Sequence, residues 1–120
     1  MTARRIAIIG NGKMGRAVAA LAAERGHVIT AIVGAEGNEG GTAITRSALG
    51  EPDVAVEFTT PEAAVSNLVA CARQGIAVVS GTTGWYASLP VVRDEVLGGA
   101  GALVWSANFS VGVQLFLAAA

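Results

Sequence analysis

Apolar residues in this chain fall into two textures that alternate along its length. Short runs rich in Val and Ile recur at Arg5 to Ile9, Val28 to Val33, Val54 to Phe58, Ile76 to Val79 and Ala102 to Trp105. Nearly uninterrupted apolarity over so few positions, with β-branched residues enriched, predicts strands covered on both faces. Between these runs the apolar positions open out to a helical period. Lys13 to Arg25 places Met14, Val18, Leu21 and Ala22 on one face, and Gly26 stops it. Pro61 to Gln74 does the same with Val65, Leu68, Val69 and Ala72. Its start is well marked: Thr60 can cap, Pro61 suits a first turn, and Glu62 complements the positive helix end. Gly75 closes it. Leu89 to Leu97 predicts a shorter third helix, with Ser88 as its cap and Gly98-Gly99 as its stop.

Strand, helix, strand, repeated, predicts right-handed βαβ units in an α/β fold. The expected architecture is a doubly wound parallel sheet, with ligands beyond the carboxyl ends of its strands. The stretch from Gly34 to Gly50 breaks the pattern with five glycines. It reads as a loop with one helical turn near Ile44 to Ala48.

Composition adds a tension to this picture. Of 120 residues, 52% are hydrophobic and only 14% charged, against roughly 25% charged in an average soluble domain. Such a chain either hides most of its surface or lacks something that would cover it. Net charge is −1 with eight basic residues, scattered along the chain, which argues against a nucleic-acid or anionic-membrane surface. Cys71 and His27 are each the sole residue of their type, which excludes a disulfide framework, a cysteine-built metal site and a histidine cluster. No signal-peptide pattern and no apolar span of about 18 residues is visible, so a cytoplasmic location is expected. Cys71, between Ala70 and Ala72, reads as a small core residue. Trp105 reads as core, and Trp85 as packing on its own loop.

Candidate chemistry gathers at the strand ends. Gly10-Asn-Gly12-Lys-Met-Gly15 follows the first strand and opens the first helix. In such a G-x-G-x-x-G the first glycine makes the tight turn, the second admits a pyrophosphate, and the third lets helix pack on strand. The helix N-terminus offers free N–H groups, with Lys13 and Arg16 beside it. Glu36 lies 21 residues past Gly15, near where an acid holding a ribose is expected; the alternative is an ordinary loop acid. Three further segments stand at the same sheet edge: Glu57-Phe-Thr-Thr-Pro-Glu62, Gly81-Thr-Thr-Gly-Trp85 and Ser106-Ala-Asn-Phe-Ser-Val-Gly112. Phe58 and Thr59 are expected at the cleft edge. Thr82 and Thr83 offer hydroxyls, and Asn108 pairs a donor with an acceptor, suited to a carboxamide.

Taken in order, these four segments resemble the 4-hydroxy-tetrahydrodipicolinate reductases, the dihydrodipicolinate reductases of bacterial lysine and diaminopimelate biosynthesis. The resemblance implies a Rossmann-type domain binding NADH or NADPH. It assigns Gly10, Asn11, Gly12, Lys13, Met14 and Gly15 to the pyrophosphate. Phe58, Thr59, Gly81, Thr82, Thr83, Ser106, Ala107, Asn108 and Phe109 fall toward the nicotinamide, and Glu36 toward the adenosine ribose. No metal is implied.

The family's catalytic His-His, its Lys and its Ser-Gly-Thr substrate loop should follow position 120. His27 and Lys13 are placed wrongly to replace them. The chain is therefore expected to be one cofactor domain over 1–120, ending at the start of a helix (Val111 to Ala120) that would lead into an absent substrate domain. It should bind cofactor without turning over a cyclic dicarboxylate, and its uncovered apolar end should self-associate. Two other readings stand beside this one. A free-standing dinucleotide-binding or redox-sensing module would need a partner-binding segment. A sugar, homoserine or aspartate dehydrogenase would share the glycine motif but not Asn-Phe-Ser-Val-Gly-Val.

Overall fold

A computed structural model describes residues 3–106. Five strands, β1 (Arg5–Ile9), β2 (Val28–Val33), β3 (Val54–Glu57), β4 (Ala77–Ser80) and β5 (Leu103–Trp105), alternate with helices α1 (Lys13–Glu24), α2 (Pro61–Arg73) and α3 (Leu89–Leu97). The strands form one parallel sheet in the order β2-β1-β3-β4-β5. The chain builds leftward from β1 to β2, then returns to place β3 on the other side. A topological switch point therefore lies between β1 and β3, where such sheets form their ligand crevice.

Strand alternation sorts the core into two layers. Ile6, Ile8, Val54, Val56 and Val79 face α1 and its Val18 and Ala22. Ala7, Ile9, Ala55 and Val78 face the opposite layer, where Leu68 and Cys71 of α2 meet Val92 of α3. Both faces of the central strands are thus covered, which is why they read as unbroken apolar runs. A buried Ile, Leu or Val side chain contributes roughly 1.5–3 kcal/mol, so β1, buried from Ile6 to Ile9, is the strand least able to tolerate a polar change. Among the described residues, no helix is long and apolar enough to cross a membrane.

The helix signals mostly act as read. Thr60 Oγ1 accepts from the Ala63 N–H at 3.3 Å, with Pro61 behind it. Other expectations need correction. Ser88 occupies the N-cap position of α3, but its side chain caps nothing, because a 3₁₀ turn at Tyr86–Ser88 already leads into the helix. Trp105 is 43% exposed rather than core, since β5 is an edge strand. The same geometry leaves Val28 and Ile32 of edge strand β2 half exposed, so double-sided burial holds only for the central strands. Met14 is also exposed, standing in the first turn of α1 beyond the strand ends.

The β2–β3 connection runs without a helix. A 3₁₀ turn forms at Glu39–Gly41, earlier than expected, and the region near Ile44 holds only isolated turns such as Leu49 N–H to Thr45 C=O at 3.0 Å. Ile44 and Leu49 nonetheless fill the place a crossover helix would take against the sheet.

Candidate functional site: a cleft at the switch point

The glycine turn after β1 is built by three different constraints. Gly10 has φ +119°, and a Cβ there would fall 1.9 Å from the Phe58 carbonyl oxygen. Its N–H bonds to the Val33 carbonyl at 2.7 Å, closing the turn against β2. A Cβ on Gly15 would meet the Gly10 carbonyl oxygen at 2.2 Å, so helix and turn touch through backbone. Gly12 differs: a Cβ there meets nothing within 4 Å, and its backbone is extended. The turn's inner positions are filled by protein, and the middle one opens outward.

Gly12 is the N-cap of α1, with no side-chain cap bond and no acid in the first turn. The first N–H groups and the positive dipole end therefore face the opening, a ready site for a phosphate. Lys13 and Met14 are exposed there, and Arg16 Nε donates to the Asn11 carbonyl at 3.2 Å, which stiffens the turn and adds positive charge.

Beside this turn lies an open cleft of about 420 Å³ between the ends of β1, β2 and β3. Its walls include Asn11, Gly34, Asn38, Glu39, Thr59 and Asn67. A Cβ on Gly34 would approach Asn11 Nδ2 to 2.5 Å, so a side chain there would displace the exposed Asn11 carboxamide. Glu36 is exposed and outside the cleft wall, whereas Glu39, two residues past the Gly37 turn, is part of it.

Under the cleft sits a buried polar network. Glu57 ends β3 fully buried, and its carboxylate accepts from Ser80 Oγ at 2.6 Å and Thr82 Oγ1 at 2.7 Å. Thr59 Oγ1 donates to the same Oε2 as Thr82. Thr82 Oγ1 in turn accepts from the Thr59 N–H at 2.8 Å, and its carbonyl accepts from Trp85 Nε1 at 2.6 Å. Asn67 Nδ2 donates to Thr59 Oγ1 at 3.4 Å, and Asn67 Oδ1 accepts from Asn38 Nδ2 at 3.0 Å. Asn38 Oδ1 finally accepts the Ala43 N–H at 3.0 Å. Burial pushes the nearby Cys71 thiol up to about 12, with the negative Glu57 adding to the effect.

The expected site residues therefore separate. Gly10, Asn11 and Thr59 line the cleft, Gly12, Lys13 and Met14 are exposed outside its wall, and Gly15 is buried against the turn. Phe58 instead packs, partly buried, on the α1-side core. The Thr82 hydroxyl turns inward to Glu57; Gly81 is half-buried and Thr83 exposed, and neither is part of the cleft wall. Ser106 continues β5, its N–H donating to the Ser80 carbonyl at 3.3 Å. Ala107, Asn108 and Phe109, like the segment Val111 to Ala120, lie outside the described residues. Sequence reasoning gave no role to Glu57, Ser80, Asn38 or Asn67. The available signals were an acid closing the apolar run Val54-Ala55-Val56 and an amide on the buried face of α2 beside Leu68 and Cys71.

A family model described as "Dihydrodipicolinate reductase, N-terminus" matches residues 4–109. A 4-hydroxy-tetrahydrodipicolinate reductase of Christiangramia forsetii is 34% identical over 113 residues, spanning 92% of this chain and 44% of that protein. Reductases of the same name from Methanoculleus marisnigri and Pseudomonas fluorescens are 42% identical over 66 residues and 44% over 70, covering 26% and 25% of those proteins. The chain thus spans less than half the length of these relatives. In fold it is similar to aspartate dehydrogenase from Thermotoga maritima, at a TM-score of 0.58 and 16% identity over 87% of this chain and 46% of that one. By the match over residues 4–109, the chain belongs to the dihydrodipicolinate reductase N-terminal family.

Proposed function

We propose that this chain is the NAD(P)H-binding part of a 4-hydroxy-tetrahydrodipicolinate reductase of lysine and diaminopimelate biosynthesis. The observation that carries this reading is the open middle glycine. Gly12 leaves room above the uncapped N-terminus of α1 while Gly10 and Gly15 are closed by backbone. That is the fit a pyrophosphate needs. When bound, the reduced nicotinamide supplies a hydride to a cyclic dicarboxylate substrate.

The chain's own part is to bind and orient. Gly10, Asn11, Gly12, Lys13, Met14 and Gly15 hold the pyrophosphate through backbone N–H groups and local positive charge. The cleft takes the adenosine, with Glu36 or Glu39 toward the ribose hydroxyls. Thr59, Gly81, Thr82, Thr83 and Ser106 border the nicotinamide side, with Phe58 behind them and Ala107, Asn108 and Phe109 following in sequence. No proton donor is assigned among these residues. Because the relatives are more than twice as long as the stretch they share with this chain, substrate recognition and proton delivery are assigned to the rest of their length. Binding without turnover is expected of residues 1–120 in the cytoplasm, with self-association through apolar edges such as Val104 and Trp105, both nearly half exposed.

Calorimetric titration of NADH and NADPH against the chain tests the reading. Saturable binding of at least one supports it; no heat and no thermal shift with either overturns it. Turnover at rates typical of a whole enzyme would overturn the expectation of binding alone.

A further inference from the structure

Glu57 is the one fully buried acid in the described structure, and it lies in a strand whose other residues are Val54, Ala55 and Val56. An acid there is not needed for packing. Burying a carboxylate costs desolvation, and apolar replacements of buried polar groups are often as stable or more so. What an apolar side chain could not do is gather three hydroxyl donors from two loops. Ser80 and Thr82 come from the end of β4 and the turn after it, and Thr59 from the turn after β3. Thr59 passes the connection to Asn67 on α2, and Asn67 passes it to Asn38 in the β2–β3 segment. Thr59, Asn67 and Asn38 all form cleft wall; Glu57 and Ser80 do not.

We propose that Glu57 is a positioning residue for the cofactor cleft. It fixes the β3 and β4 turns against each other and, through Thr59 and Asn67, fixes the β2–β3 segment as the third wall. The directionality of the network supports this. Thr82 donates to the carboxylate and accepts from the Thr59 N–H, so one hydroxyl orients both a side chain and a backbone group. With both carboxylate oxygens accepting, the Ser80 and Thr82 protons are directed at Glu57, and Thr59 Oγ1 donates to it with the Thr60 carbonyl at 3.5 Å as the longer alternative. The Thr59 and Thr82 oxygens then accept from Asn67 and the Thr59 N–H respectively. A carboxamide in place of the carboxylate presents one donor where an acceptor is required, so at least one hydroxyl must turn away. The wall then loses its single arrangement, and cofactor affinity falls by the cost of restoring it. Satisfied buried networks specify one geometry in this way; half-satisfied ones do not.

The inference rests on the dinucleotide reading above, and the test separates the two. NADH and NADPH are titrated by calorimetry against the parent chain and against Glu57→Gln, Ser80→Ala and Val92→Ala, with the melting temperature of each measured. Val92 is buried on α3 and has no part in the network, so Val92→Ala reports loss of stability alone. The expected result is a Kd for the better cofactor at least tenfold higher in Glu57→Gln, while Val92→Ala lowers the melting temperature and keeps Kd within twofold. Glu57→Gln within twofold of the parent would overturn the proposal, as would an equal loss of affinity in Val92→Ala. Should Glu57→Gln fail to fold, Ser80→Ala, which removes only the donor to Oε1, decides by the same criterion. A parent chain that binds neither cofactor overturns the dinucleotide reading, and this proposal falls with it.

Discussion

Gly10 and Phe58 meet with no space for a methyl group: a Cβ on Gly10 would lie 1.9 Å from the Phe58 carbonyl oxygen. The contact is backbone against backbone, so neither side can swing away. With φ at +119°, Gly10 also holds a conformation that L-residues rarely adopt. Gly10→Ala is expected to cost roughly 3 kcal/mol or more, from strain plus displacement of β3 from β1. Urea denaturation gives the value, and a midpoint close to the parent's would show that the two strand ends can separate cheaply.

Gly12 should behave in the opposite way. Its φ of −76° and ψ of −171° suit any residue, and an added methyl meets open space. Gly12→Ala is expected to change stability by less than about 0.5 kcal/mol. It should nonetheless weaken NADH or NADPH binding at least about tenfold, or 1.4 kcal/mol, because the methyl takes the place of the approaching phosphate. Equal binding by this variant would remove the pyrophosphate from Gly12.

Glu39 and Glu36 offer a second contrast, since only Glu39 is part of the cleft wall. Loss of one ribose hydrogen bond is worth about 0.5–1.5 kcal/mol. Glu39→Ala should therefore raise the cofactor Kd by about fivefold, and Glu36→Ala should leave it within twofold. The reverse order would restore Glu36 as the ribose acid.

These contrasts show which features a sequence carries openly. Residues 6–9 were readable as a strand because two-sided packing leaves every position apolar, and residues 28–33 because β-branched residues dominate the run even at the sheet edge. Thr60-Pro61-Glu62 was readable as a helix start because all three signals act within four residues. The β2–β3 segment was not, since nothing local fixes it. Ile44 and Leu49 gain their meaning from the sheet, and Asn38 from Asn67, 29 positions on. Ser88 had the right chemistry for a cap and lost the role to the 3₁₀ turn before it. Trp105 looked like core because its edge position is a property of strand order. The glycine motif and its place after a strand were legible; the acid beneath the cleft was not, because its partners come from positions 59, 80 and 82.

Cys71 should make stability fall with rising pH in alkali. Its folded pKa is raised to about 12 from 9.0, so between those values the unfolded chain loses a proton that the folded chain keeps. The stabilisation is complete below about pH 9 and is lost as pH climbs toward 12, at no more than about 1.4 kcal/mol per pH unit. The difference in urea stability between the parent and Cys71→Ala, followed from pH 8 to 11, isolates this slope from other alkaline titrations. A flat difference would contradict it. In native conditions at pH 8 the thiol should also resist an aromatic disulfide reagent and react only on unfolding.

The strand order has a consequence for how this chain is made. No neighbouring strands in β2-β1-β3-β4-β5 can be joined by a hairpin, because every pair is parallel. As the chain leaves the ribosome, β1 and β2 can pair through α1 early. The other edge of β1 must wait for Val54, the partner of Ile6, some 48 residues later. During that interval one of the most apolar strands in the protein has a bare hydrogen-bonding edge. Slow synthesis or a stall before residue 57 would prolong its exposure, and it is at that stage, rather than in the finished fold, that misassembly is most to be expected.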